Sequence, residues 1–185
     1  VISYNNDGTV ESKQTFQGKN DDSSWARGQA WAIYGYTACF RETNDSIFLN
    51  FAKDIADMIM DRVKTEDAIP YWDYDAPVTK ETPRDVSAAS VTASAMIELS
   101  TMVPDGQKYL DYAEKILKSL SSDAYLAKVG DNQGFILMHS VGSLPNGSEI
   151  DTPLNYADYY YLEALKRFME LKKLRVENGE LRVIQ

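Results

Sequence analysis

The 185-residue chain is poor in the residues that build covalent or metal-held sites. It has one cysteine, Cys39, and one histidine, His139. A single cysteine excludes an internal disulfide, and one His with one Cys leaves no transition-metal ligand set, so no metal is expected. Cys39 lies in an apolar helical stretch and reads as a buried thiol. Long apolar runs are also missing, and none approaches the ~20 residues of a membrane span. Positive charge is scarce. Nineteen Lys and Arg face 28 Asp and Glu, for a net charge of −9. That balance argues against nucleic acid or an anionic membrane as partner. It does not forbid an anionic small substrate, because a local pocket can oppose the global sign. No signal peptide is visible. The expected setting is soluble, with bacterial cytoplasm and periplasm both open.

What is abundant is apolar and aromatic: 44% hydrophobic, 11% aromatic. The chain reads as one globular region rather than a disordered one. Residues 1–16 suggest a hairpin, Val1–Tyr4 and Thr9–Gln14, around Asp7-Gly8. Helical periodicity then predicts helices at about 24–42, 46–64 (capped by Ser46), 86–102 (capped by Asp85), 105–121 and 155–173. Proline-rich residues 65–85 and irregular residues 130–154 separate them, the latter with a possible strand at Phe135–His139. A second hairpin is expected at 174–184 around Asn178-Gly179. Helix pairs joined by alternately short and long connections predict an all-α fold. The expected form is about half of an (α/α)6 toroid or barrel, with small β-hairpins at its ends. Long loops in such a domain tend to be functional. A half ring leaves inner helix faces uncovered, so a partner is expected: a missing N-terminal half or a second copy.

One run concentrates costly side chains. Ser24-Trp25-Ala26-Arg27-Gly28-Gln29-Ala30-Trp31 places two tryptophans and an arginine behind the helix-starting cluster Asp21–Ser24. Arg27 and Trp31, four apart, share a helix face, and an arginine in an apolar stretch needs an acceptor. Two readings stay open. Both tryptophans can be core, with Arg27 paired to an internal carboxylate; pattern alone favours this. Alternatively, rings, cationic fork and helix N-terminus together suit a sugar acid.

The run, continued by Ala32-Ile33-Tyr34-Gly35-Tyr36, resembles the signature helix of glycoside hydrolase family 88, the unsaturated glucuronyl hydrolases. Gln17-Gly18, Pro70–Pro77, Arg84–Ser90, Gly134–Gly142 and Asp158–Leu165 resemble further stretches of that family, in the same order. Family 105, acting on unsaturated rhamnogalacturonides, is the alternative. It usually has Arg-Gly-Asn-Gly-Trp where this chain has Arg27-Gly28-Gln29-Ala30-Trp31. The resemblance implies removal of a 4,5-unsaturated uronic acid from the non-reducing end of lyase-generated oligosaccharides, without cofactor. An aspartic acid protonates C4, water adds at C5, and the hemiketal opens. It implies substrate-binding roles for Gln17, Trp25, Arg27, Trp31, His139, Ser140 and Ser143. Some relatives read a sulfate with two serines and a lysine; this chain has Pro145 at the lysine position, which counts against sulfate recognition. Family members are about twice as long and carry two catalytic aspartates in the N-terminal half. The chain thus reads as a C-terminal half, its catalytic pair expected upstream of Val1, and as an inactive carbohydrate-binding fragment when isolated. Asp73 and Asp75, two apart in an extended loop, point opposite ways and read as loop-fixing residues.

Overall fold

In the computed structural model, which describes residues 1–177, five helices carry the fold. Strands β1 (Ile2–Tyr4) and β2 (Val10–Lys13) pair antiparallel at the start. Helices α1 (Ala26–Thr43) and α2 (Ser46–Arg62) follow, then α3 (Val86–Ser100) and α4 (Gln107–Leu120). A hairpin of β3 (Ser140–Ser143) and β4 (Ser148–Thr152) precedes α5 (Asn155–Glu177).

The order of packing follows from α3. Most of its residues are small, and all but Glu98 are buried, so neighbours approach it closely. Helices α1 and α5 flank it, α4 folds back on it, and α2 folds back on α1. Three parallel helices, α1, α3 and α5, therefore form an inner arc, with α2 and α4 behind. The inner helices are in register. Tyr34, Ser94 and Glu163 are each the ninth residue of their helix. Glu163 accepts hydrogen bonds from both hydroxyls, that of Tyr34 at 3.1 Å. Below that layer Arg167 donates to the Ser94 carbonyl and pairs with Glu98 at 2.7 Å. The arrangement is an arc of an α/α toroid. Its apolar core runs between the two layers, from Ile33 and Ile59 through Met96 and Leu99 to Tyr109 and Leu120.

Several local expectations need correction. Helix α1 begins at Ala26 with Trp25 at the cap position and no side-chain cap. The Asp21–Ser24 cluster is spent on loops instead: Asp21 accepts from the Thr15 amide, Ser23 donates to Asp73, and the Ser24 amide donates to Asp75. Asp45, not Ser46, caps α2. The strand pairing lies at Ser140–Ser143 and Ser148–Thr152 rather than at Phe135–His139. The 135–139 stretch pairs only through one antiparallel bridge, Leu126 with Leu137, flanked by Ala127 amide to Ile136 carbonyl and Met138 amide to Tyr125 carbonyl; its Ile136 and Leu137 amides go to the Asp158 carboxylate of α5, at 2.8 and 2.9 Å. Cys39 is exposed, not buried, because position 39 shares its helix face with exposed Gly35 and Glu42. Helix α5 continues through Leu174 to Glu177, where a hairpin was expected; the remainder of that hairpin lies outside the described residues.

Candidate functional site

The three inner helices begin at one rim, which is built from loops 14–25, 63–85 and 135–154. The first turns are tied together there. The Ala26 amide donates to the Trp72 carbonyl, the Asp85 amide to Pro70, and the Val86 amide to His139. Arg27, Ser87 and Tyr156, each the second residue of its helix, meet at that level.

Arg27 is the hub. It is 3% exposed, and its Nη1 lies 3.1 Å from Oδ2 of Asp85, which is 0% exposed. The same nitrogen donates to Ser87 Oγ at 3.1 Å and to the Val141 carbonyl; Nη2 donates to the Gly142 carbonyl at 2.5 Å. Its guanidinium also stands 4.7 Å from the Trp25 ring and 5.3 Å from that of Tyr156. Of the two readings open at Arg27, the internal carboxylate is the one observed. The guanidinium is held by these internal partners, with Asp85 as its anionic one. Burial of an arginine without such partners would be prohibitive.

Gln17 reaches the same place. Its Nε2 donates to the Gly142 carbonyl at 2.8 Å. Trp31 joins through aromatic rings, 6.5 Å from Tyr156 and 5.1 Å from Tyr160. Gln17, Trp25, Arg27 and Trp31 thus form one continuous cluster with Tyr156.

His139 does not share it through its side chain. Its backbone adopts a positive φ of 66°, a conformation that non-glycine residues adopt rarely and at a cost. That twist sends the carbonyl to the α3 start and the imidazole away, to Asp151 at 2.6 Å and edge-on to Tyr125. The expected convergence of His139 with Arg27 holds for the backbone only. Ser140 is fully buried with its hydroxyl unpartnered, and Ser143 is nearly buried and accepts from Asn146 at 2.8 Å. Neither serine side chain faces solvent as an open sugar contact would.

The carboxylates of this rim are accounted for. Asp73 is buried and accepts from the Lys19 amide, Ser23 Oγ and the Asp75 amide at 2.8–2.9 Å. Asp75 pairs with Arg62 at 2.6 Å. Its carboxyl is held below the usual range by the Ser24 amide and by Arg62. Burial pushes Asp85 the other way, upward, against the pull of Arg27 and Ser87. A raised carboxyl is what a general acid needs, but Asp85 is sealed from any substrate. Burial likewise raises the Tyr156 phenol, with Arg27 opposing. Among the described residues, no cluster of three His, Cys, Asp or Glu could hold a metal ion, and no helix is long and apolar enough to cross a membrane.

Sequence reasoning read Asp85 as a helix cap and missed its pairing with Arg27. The only signal was the need of Arg27 for an acceptor, and nothing local marks one 58 residues away.

Comparison with known proteins adds scale. The Glycosyl hydrolase family 47 model matches residues 28–170. This is a different family number from the resemblance above. The matched range spans the helices and leaves out Gln17, Trp25 and Arg27, three of the residues that carry that resemblance. An unsaturated glucuronyl hydrolase of Formosa agariphila is 46% identical over 173 residues, 92% of this chain and 43% of the relative. A crystal structure of an unsaturated glucuronyl hydrolase specific for heparin superposes with a TM-score of 0.90 at 57% identity, covering 93% of this chain and 47% of the other. An unsaturated glucuronyl hydrolase of Streptococcus agalactiae complexed with dGlcA-GalNAc6S gives 0.78 at 32% identity, over 89% and 45%. The chain spans a little under half the length of these proteins. The chain belongs to the glycosyl hydrolases, both by the family 47 model that spans its helices and by the unsaturated glucuronyl hydrolases that match more than nine-tenths of its length.

Proposed function

We propose that this chain is the C-terminal half of a family 88 unsaturated glucuronyl hydrolase. The whole enzyme removes a 4,5-unsaturated uronic acid from the non-reducing end of oligosaccharides left by polysaccharide lyases. The observation that carries this is 57% identity at a TM-score of 0.90 to a hydrolase of that kind.

The rim chemistry supports the reading. Three inner helices direct their N-terminal partial positive charge toward it. Trp25 and Tyr156 are half-buried beside Arg27, 4.7 and 5.3 Å from its guanidinium, and sugars stack on the faces that such rings leave uncovered. Gln17 supplies an amide at the same level. Together these groups orient a ring and favour its carboxylate. His139, Ser140 and Ser143 sit on the adjoining loop, and Pro145 follows where sulfate-reading relatives carry lysine. The substrate is accordingly an unsaturated uronide without dependence on a sulfate at that point.

The reaction itself needs a protonated carboxylic acid at C4 and a water at C5. On this reading the acid is one of two aspartates on the N-terminal half, which also covers the open faces of α1 and α5. The test is direct. The complete protein is incubated with an unsaturated uronyl disaccharide, and ultraviolet absorbance of the double bond is followed. Loss of absorbance with release of the neighbouring sugar is expected. No loss with uronyl disaccharides, but turnover of unsaturated rhamnogalacturonyl disaccharides, would move the protein to family 105 chemistry.

A further inference from the structure

A helix cap needs one carboxylate oxygen, and Asp85 uses both. Its Oδ1 accepts from the Ser87 amide at 3.0 Å and from Ser87 Oγ at 2.6 Å, which is the cap proper. The Val141 amide of β3 approaches the same oxygen at 3.4 Å. Its Oδ2 is given to Arg27 on α1. One buried carboxylate therefore joins α1, α3 and β3. From Arg27 the linkage runs on to the Val141 and Gly142 carbonyls, and Gln17 donates to that same Gly142 oxygen.

We infer that Asp85 is a positioning residue for the proposed hydrolase, acting through Arg27 to fix the Val141–Gly142 backbone against Gln17 and the Trp25 ring. This rests on the reading under Proposed function. The physical argument is that Arg27 is held only by internal acceptors. Remove the charge on Oδ2 and the guanidinium loses its one anionic partner while it stays buried, 3% exposed. The fork then no longer fixes two successive carbonyls of β3. Ring and amide on one side of the rim move relative to the loop on the other. Misplacement by about 1 Å is enough to cost on the order of 10²-fold in rate. The geometry also separates this role from catalysis, because Asp85 is 0% exposed and cannot touch substrate.

The experiment uses the complete enzyme with Asp85→Asn, Arg27→Lys and both together. Asparagine is an effective cap, so Asp85→Asn keeps the α3 start and removes the charge alone. For each protein KM and kcat are measured on an unsaturated uronyl disaccharide, and amide hydrogen exchange is followed over residues 140–143. Expected are a KM raised about tenfold, kcat/KM lowered roughly 10²-fold, and faster exchange at 140–143. The double variant should be little worse than either single one, because both break the same linkage. Wild-type kinetics in Asp85→Asn, whatever its exchange or melting temperature, would reduce Asp85 to a cap and overturn the inference. So would fully additive losses in the double variant. Should Asp85→Asn not fold, Arg27→Lys is judged by the same KM and exchange criteria. An inactive wild type would defeat the functional reading alone, since exchange at 140–143 still decides whether Asp85 holds that backbone.

Discussion

Single residues here are set by where they fall on the inner helices. Tyr34 shows the consequence. Its phenol donates to Glu163 inside the inner arc, and burial, with that carboxylate beside it, pushes its pKa up to about 12. Tyr112, on outer helix α4, is raised to about 12 by burial and then by Asp67. An unfolded tyrosine titrates near ~10. A phenol with a raised folded value stabilises fully below the unfolded pKa. That contribution is lost as pH rises through the window from ~10 to about 12. The chain should therefore lose stability steeply above pH ~10. Tyr34→Phe should flatten that slope, read as the thermal midpoint against pH. A slope unchanged by Tyr34→Phe would mean that Tyr34 ionises in the folded state as it does in the unfolded one.

Elements show how much of the molecule was legible. Helices α2 to α5 follow their apolar periodicity to within a few residues, and Asp85 caps α3 as its position before a small-residue run predicts. The short strands β3 and β4 were not legible. Ser140–Ser143 and Ser148–Thr152 carry no apolar alternation, whereas the apolar run before them reads as strand-like and is extended, with a single antiparallel bridge to Leu126 and two amides held by Asp158. At the site, the clustering of Gln17, Trp25, Arg27 and Trp31 was legible from the resemblance. The direction of His139 was not, because one positive φ reverses it and leaves no trace in composition. The α3–α4 turn carries a sharper constraint than its sequence suggests. A Cβ on Gly106 would lie 1.9 Å from the Ser100 carbonyl oxygen, a backbone atom that cannot swing aside. Gly106→Ala should then cost on the order of 1–3 kcal/mol, as overpacking does. Urea unfolding measures it, and a loss below a few tenths would show that the turn relaxes freely. Gly142 is different, since its nearest obstacle is the Glu149 side chain.

At the scale of the whole molecule, the inner arc of the described residues ends at α1 on one side and α5 on the other. Helix α5 exposes Tyr159, Leu162 and Met169 along one stripe, a face that a ring would cover and water does not favour. On the proposed reading the other half of the ring covers it and brings the proton donor. The described carboxylates at the rim agree with that division. Asp73 is held by three donors, Asp75 by Arg62, and Asp85 by Arg27 and Ser87. Asp151 is exposed, as Asp75 is, and it is taken up with His139. None is a buried, uncommitted acid facing an open cleft. The 185-residue chain by itself should therefore leave the ultraviolet absorbance of an unsaturated uronyl disaccharide unchanged, while the complete protein consumes it. Orientation without a donor leaves the C4 protonation barrier nearly in place, and general-acid catalysis is worth ~10²–10⁴-fold on its own. Turnover by the chain alone, abolished by Asp151→Asn, would instead make Asp151 the acid, with His139 as the group that tunes it.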